Sequence, residues 1–256
     1  IMSNRTMQKY GWLPDLPDYR DYKFSESFTA QAALPPSVDL RPKMPPVYNQ
    51  GNLGSCTGNA IAAALEYDLI KQNLPSFTPS RLFIYYNERL LEGTVRSDSG
   101  AMIRDGIKTV SKQGACKETI WPYDVVKFAR KPTIAAYKDG LTHVGLSYYS
   151  VNQTELDIKT ALASNFPVVF GFTVYSSFEG QEVASTGIVK MPAAGESVLG
   201  GHAVLIVGYD DKKRQFIVRN SWGPNWGASG YFYMPYDYVT NLNLADDFWV
   251  ISKISG

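Results

Sequence analysis

The stretch Asn49-Gln-Gly-Asn-Leu-Gly-Ser-Cys56, continued by Thr57-Gly-Asn-Ala-Ile-Ala-Ala-Ala-Leu65, marks where the chain changes from extended to helical grammar. Ala60, Ile61, Ala63, Ala64, Leu65 and Leu69 lie around much of a helical wheel, and Asn73 and Pro75 close the pattern, so a buried helix is expected from Cys56. A thiol at a helix start feels unpaired N–H groups and the positive end of the dipole, both of which favour thiolate. A lone cysteine there is as a rule a small core hydrophobe. Its neighbours argue otherwise: Gly51 and Gly54 let backbone approach closely, Ser55 suits an N-cap, and Gln50 can aim an amide donor at the same point.

Downstream, Thr78 as N-cap, Pro79 at N1, the run Leu82, Phe83, Tyr85, Tyr86, Leu90 and a terminal Gly93 predict a second helix. A third is expected from Gly100 to Gln113, stopped by Gly114. Beyond about residue 140 the pattern becomes strand-like: Pro167 to Tyr175, His202 to Tyr209, Gln215 to Arg219 and Gly230 to Met234. One helix, Glu155 to Ser164, interrupts them behind the capping pair Thr154 and Asp157. The expected fold is α+β, a mainly helical part over 34–140 meeting a β-rich part over 141–256 along a cleft. Upstream, Trp12-Leu-Pro-Asp-Leu-Pro-Asp18 and Tyr19-Arg-Asp-Tyr-Lys-Phe24 read as extended, and are too aromatic for a solvated tail.

Composition excludes several classes. The 256 residues are 45% apolar, with 25 Lys and Arg against 24 Asp and Glu, so nothing offers a phosphate-backbone footprint and nucleic-acid binding is not expected. Ile61–Leu65 and Ala203–Val207 fall far short of the roughly 18–20 apolar residues of a membrane span. Cys56 and Cys116 cannot build a disulfide framework, and with only His143 and His202 a zinc site would consume every candidate, so no metal or other cofactor is expected. Ile1 to Tyr10 lacks the apolar region of a secretory signal, so any such signal is expected to be absent or already removed; the compartment, cytoplasmic or exported, is left open.

Two further segments carry chemistry. His202 stands in Gly200-Gly-His-Ala-Val-Leu-Ile-Val-Gly208, where the glycine pair leaves room beside the ring; the bland alternative is a core histidine satisfied by backbone. His143 lacks such a setting and reads as structural. Val218-Arg-Asn-Ser-Trp-Gly-Pro-Asn-Trp-Gly227 places Asn220 at a strand end 18 residues after His202, and Cys56 lies 146 residues before that histidine.

In order and separation these segments resemble the papain-like cysteine peptidase family, most closely its bacterial, xylellain-like branch. The resemblance covers roughly Leu34 to Ser252: Leu34-Pro-Pro-Ser-Val-Asp-Leu-Arg is similar to the family's mature N-terminus, and Tyr231-Phe-Tyr-Met to the strand after its tryptophan-glycine turn. It implies a two-lobed fold with a β-barrel-like right lobe. It makes Cys56 the nucleophile, His202 the general base and acid, and Asn220 the group orienting the imidazole. Gln50 with the Cys56 N–H would form the oxyanion hole, and Trp222 would cover the Asn220 contact. Gly100 and Gly201 would meet the backbone of an extended peptide, and Ala101, Met102 and Gly171 would line an apolar pocket for the second residue before the scissile bond.

Two positions depart from the family pattern. Leu53 stands where the family has a disulfide cysteine, so loop rigidity must come from packing, and Thr57 replaces an aromatic residue after the nucleophile. Cys116 reads as a structural thiol. Residues 1–33 precede the mature-like start and are expected to act as a short propeptide, Trp12 to Phe24 or part of it lying at the cleft until cleavage near Gln31 to Leu34. The expected activity is that of a monomeric endopeptidase on peptide or protein substrates, made as a zymogen. The rivals are a silent papain-like peptide-binding module and another Cys/His acyl-transfer enzyme.

Overall fold

The computed structural model describes residues 10–27, 33–144 and 146–253. Up to residue 143 its elements are β1 (Trp12–Leu13), α1 (Phe24–Ser27), β2 (Ser37–Asp39), α2 (Cys56–Lys71), α3 (Arg81–Glu92), β3 (Ala101–Met102), α4 (Ile103–Gln113) and α5 (Ile134–Gly140). There follow β4 (Leu146–Ser150), α6 (Glu155–Ala163), β5 (Val168–Tyr175), α7 (Gln181–Thr186), β6 (Val198–Asp210), β7 (Gln215–Arg219), β8 (Tyr231–Pro235), α8 (Tyr236–Val239) and β9 (Ala245–Lys253).

Helix α2 is buried from Cys56 to Leu69, as its all-round apolar wheel requires, and packs against α3, α4, β6 and β9. Its alanines let those neighbours approach on every side. The helical lobe is built on α2, α3 and α4. The other lobe is an antiparallel sheet in the order β4-β9-β5-β6-β7-β8, with β2 also pairing with β6. This is the expected α+β, two-lobed architecture. Within it, Phe172 pairs with His202 and Gly171 with Ala203, which fixes where the histidine stands on the long strand β6.

Local chemistry moves several expected boundaries. The N-cap of α3 is Ser80, not Thr78: its hydroxyl accepts from Phe83 N at 3.1 Å and donates to the Trp121 carbonyl at 2.6 Å, whereas the Thr78 hydroxyl reaches Glu66. Gly93 ends α3 with φ +76°, as expected. Helix α4 begins at Ile103 and not Gly100, because Gly100 takes φ +75° and Ala101 and Met102 are extended, pairing in parallel with Trp12 and Leu13. Ser55 precedes α2 without capping it; its hydroxyl bonds instead to the Tyr123 hydroxyl. Strand β9 lies between β4 and β5, yet its start, Ala245-Asp-Asp, hides it from strand grammar.

Residues 34–48 lie along the sheet although they precede α2. Tyr209 donates to the Pro35 carbonyl, β2 pairs with Gly208–Asp210, and Arg219 donates to the Pro45 and Pro46 carbonyls. Among the described residues no helix is long and apolar enough to cross a membrane, and no His/Cys/Asp/Glu group could hold a metal ion. Because Ser80 both caps α3 and ties it to Trp121, Ser80→Ala is expected to destabilise the chain by about 1–2 kcal/mol, measured by denaturant unfolding. An unchanged midpoint would remove this role for the cap.

Candidate active site

Folding brings three distant segments together. Cys56, the first residue of α2, is fully buried, and its sulfur accepts from the Ala203 amide at 3.4 Å, the residue next to His202 on β6. Asn220 follows β7, and its amide is held by the Gly230 carbonyl at 3.0 Å. Asn220 Oδ1 lies 2.8 Å from His202 Nε2 and also accepts from Ser221 N at 2.8 Å. With an oxygen as its partner, Nε2 carries the proton, so the lone pair of the neutral ring is on Nδ1, which has no hydrogen-bond partner among the described residues. Trp222 stacks on the imidazole, with centroids 5.1 Å apart at 28°.

Electrostatics here are governed by burial. Loss of water pushes the Cys56 thiol up to about 12, against the opposing pull of the Ala203, Gly11 and Thr57 amides, and buried Glu88 adds to the rise. His202 is brought down to about 4 by burial, which outweighs its bond to Asn220. Both groups are therefore neutral at pH 7 in this closed arrangement, and the helix-dipole effect on Cys56 is overridden.

Packing and hydrogen bonds, not a disulfide, brace the Gln50–Ser55 loop. Leu53 is buried in a cluster with Leu82, Tyr85 and Ala101, and the Gly54 amide donates to Asp98, whose carboxylate also accepts from the Tyr85 hydroxyl at 2.6 Å. Asp98 thus adds a polar tie to the expected packing, 44 residues away in the chain from the glycine it holds. Gln50 is fully buried, its Nε2 donating to the Leu53 carbonyl at 2.9 Å and its Oε1 accepting from the Ser221 hydroxyl at 2.6 Å.

The segment Tyr10–Leu13 runs across this site. The Tyr10 ring meets His202 edge-on at 5.8 Å and its hydroxyl donates to Glu179. Gly11 lies over Gly54, where a Cβ would come within 1.7 Å of the Gly54 carbonyl oxygen. The Trp12 indole lies against Gly171 and Gly201: Cβ atoms there would fall 1.9 Å from the indole and 2.6 Å from the Trp12 carbonyl. Gly100 sits beneath the Gly11 carbonyl, but the backbone donor to that carbonyl is Ala101 N at 2.7 Å, while Gly100 N goes to the Tyr85 hydroxyl. Met102 pairs with Leu13, and its amide donates to Glu92. All six residues singled out for substrate contact, Gly100, Ala101, Met102, Gly171, Gly201 and Trp222, lie along this segment or beside Tyr10.

Further on, the Asp15 carboxylate accepts from Arg104 N and from Trp249 Nε1, and Asp247 Oδ2 accepts from both Trp12 Nε1 at 2.9 Å and Asp15 N at 2.8 Å. Neither aspartate was singled out in the sequence, since neither stands in a motif. The residues beside His202 and Cys56 are Tyr10 and Gly11, just upstream of the stretch expected at the cleft; of that stretch, Trp12 lies against Gly171 and Gly201 and Leu13 pairs with Met102. Ile1–Lys9 and, of the expected cleavage region, Gln31 and Ala32 lie outside the described residues. Cys116 is buried away from this site beside Leu82 and Phe83, its thiol pushed up to about 12 by burial. His143 packs against Phe77 with Asp139 at 3.6 Å.

Comparison with known proteins adds to this geometry. The sequence profile of papain family cysteine proteases matches residues 34–250. A peptidase C1-like protein of Acanthamoeba polyphaga mimivirus is 45% identical over 97% of this chain and 88% of its own length. Pro-cathepsin H of Bos taurus is 33% identical, over 77% of this chain and 59% of its own length. Among solved structures, xylellain, a cysteine protease from Xylella fastidiosa, superposes with a TM-score of 0.90 at 45% identity over 100% of each chain. Digestive procathepsin L 3 of Tenebrio molitor larval midgut gives a TM-score of 0.70 at 21% identity, covering 88% of this chain and 72% of its own, a likeness of fold. A buried cysteine at a helix start, set against a histidine-bearing strand in such a two-lobed fold, accords with that match: this chain belongs to the papain family and is a cysteine peptidase.

Proposed function

We propose that the chain is an endopeptidase acting through Cys56, His202 and Asn220, made as a zymogen in which Tyr10–Trp12 covers the site. The observation that carries the reading is the Asn220–His202 bond, which leaves the Nδ1 lone pair free on the residue next to the one bonded to the Cys56 sulfur. With the cover removed and water admitted, the thiol proton passes to Nδ1, giving a thiolate and an imidazolium. The thiolate attacks the peptide carbonyl carbon. The oxyanion is held by the Cys56 N–H and a Gln50 N–H, and the imidazolium returns its proton to the departing amine. Water, deprotonated by Nδ1, then cleaves the thioester and frees the thiol.

Two features support latency. The Gly11 amide faces the sulfur while its carbonyl is bonded to Ala101 N, so the segment offers the nucleophile an N–H instead of an electrophilic carbon. In the cover's own direction, Tyr10 lies on the His202 and Trp222 side and Trp12 on the Gly171 and Gly201 side. A chain extending both ways past the sulfur therefore fits, which favours endopeptidase action. The division into a cover (1–33), a mainly helical part (34–140) and a β-rich part (141–256) belongs to the same reading.

Three outcomes are expected. With the cover removed, fluorogenic peptide hydrolysis is abolished by Cys56→Ala and lowered on the order of 10²–10³-fold in kcat by Gln50→Ala; Asn220→Ala lowers it roughly 10²-fold. A Cys56→Ala protein with full activity would remove the nucleophile assignment. Second, Gly11→Ala, whose methyl has no space against Gly54, should raise both peptide hydrolysis and labelling of Cys56 by an epoxide thiol reagent above those of the parent chain. Equal rates would end the latency idea.

Third, docking is expected to respond to pH. Burial pushes Asp15 up to about 6 and Asp247 to about 7, with Arg104, Asp105, Glu92 and Asp246 the other charged groups acting around them. A carboxyl with a higher pKa docked than free takes up a proton on docking. The cover is therefore held best below about pH 4 and loosens as pH climbs through about 6–7. Labelling of Cys56, taken relative to the Gly11→Ala protein at the same pH, should be greater near pH 8 than near pH 5, and Asp15→Asn should flatten the difference. Equal relative labelling of the parent chain at both pH values would remove the pH effect.

A further inference from the structure

The N-terminal segment is fixed to the molecule at two separate places. One is the cleft, where Tyr10, Gly11 and Trp12 lie across the site and Asp15 is bonded to Arg104 N, Trp249 and Asp247. The other is the sheet edge, where the Tyr22 carbonyl accepts from Ser150 N at 2.8 Å and Lys23 bridges to Ser150 in parallel. There the Phe24 ring, 2% exposed, enters the main core and meets Phe166 edge-on at 5.9 Å. Between the two anchors the chain stands out into solvent. Leu16 is 69% exposed and Tyr19 98%. The bonds of Asp18 and Arg20 stay inside this turn, the carboxylate accepting from Arg20 N, Nε and Nη2 and the Asp18 carbonyl from Asp21 N. Such a tip opens locally at little cost and is the preferred kind of site for proteolytic nicking.

We infer that the chain is released from latency by one cut in the turn at residues 17–20, made by an endopeptidase acting in trans, and that the stretch from Asp21 through Phe24 stays docked as part of the working enzyme. The inference rests on the latency reading above and names where the cover is severed. A cut near Gln31 to Leu34, as the resemblance implies, leaves cover and Phe24 anchor on one piece, so the piece departs only if a buried ring leaves the core with it. A cut in the turn separates them. One water adds across one peptide bond: the C–N bond breaks, a carboxyl group ends the freed piece and an amino group begins the retained one. The cover then loses the high local concentration that its tether gave it, and dilution carries it away. Asp21 remains paired with Arg104 on the retained side.

The test uses the parent full chain and a trace of chymotrypsin, which cuts after aromatic residues, stopped with a protein inhibitor of serine proteases. Intact mass and N-terminal sequencing should show a first product that starts at Arg20 and keeps Phe24. Diluted to nanomolar concentration, that product should label at Cys56 with the epoxide thiol reagent roughly tenfold or more faster than the uncut chain, and an excess of synthetic peptide 10–19 should slow it again. Tyr19→Ser should resist the cut and stay latent. A first cut anywhere outside residues 17–20, or a Tyr19 cut that leaves labelling at the uncut rate while the Gly11→Ala protein labels fast, overturns the inference and spares the latency reading. Slow labelling of both the cut chain and the Gly11→Ala protein overturns both.

Discussion

The N-terminus of α2 is wedged against β6, and the Ala203 amide bonded to the Cys56 sulfur is the contact through which helix and sheet share one site. Much of the architecture serves that placement. The small residues of α2 let it be buried on all sides, β5 fixes the register of β6 through the Phe172–His202 pair, and the Asn220 amide is anchored by Gly230. Aromatic rings complete the surroundings of the imidazole, with Trp222 stacked on one face and Phe172 edge-on at 5.8 Å.

Burial of that junction has an electrostatic result. A thiol at a helix start should be acidified by amide N–H groups and the dipole, yet desolvation is the larger effect here and carries Cys56 the other way. His202 moves oppositely for the same reason. Under the proposed reading, then, Tyr10–Trp12 obstructs the cleft and also removes the solvent that an ion pair needs. One segment works by both shape and dielectric.

The covering segment follows a lane of glycines. Gly100, Gly171 and Gly201 meet it where side chains would collide with its backbone or its indole, and a side chain on Gly11 would collide with the Gly54 carbonyl. Beyond the lane, Asp15 and Asp247 tie the segment to α4 and β9, which belong to different lobes. Under the proposed reading, a latch built from carboxylates differs from one built from apolar contacts, because its strength depends on proton uptake.

Local grammar made much of this legible. The helix starting at Cys56, the Gly93 stop, the Thr154 cap and the strand Gln215–Arg219 follow from periodicity and capping, which neighbouring residues encode. Gln50, Cys56, His202 and Asn220 were visible because each stands in a short motif, and the fold places them around one junction. Strand β9, the bulge at Asp247, the tie from Asp98 to Gly54 and the neutral state of the thiol were not visible. Each depends on what lies across the fold: Trp12 and Asp247 are 235 residues apart, and a carboxylate or thiol takes its protonation from burial that residue order does not encode. Residue order therefore marks which side chains are candidates for chemistry. Tertiary structure alone decided which charges they carry, because desolvation and hydrogen-bond partners are set by packing between distant segments.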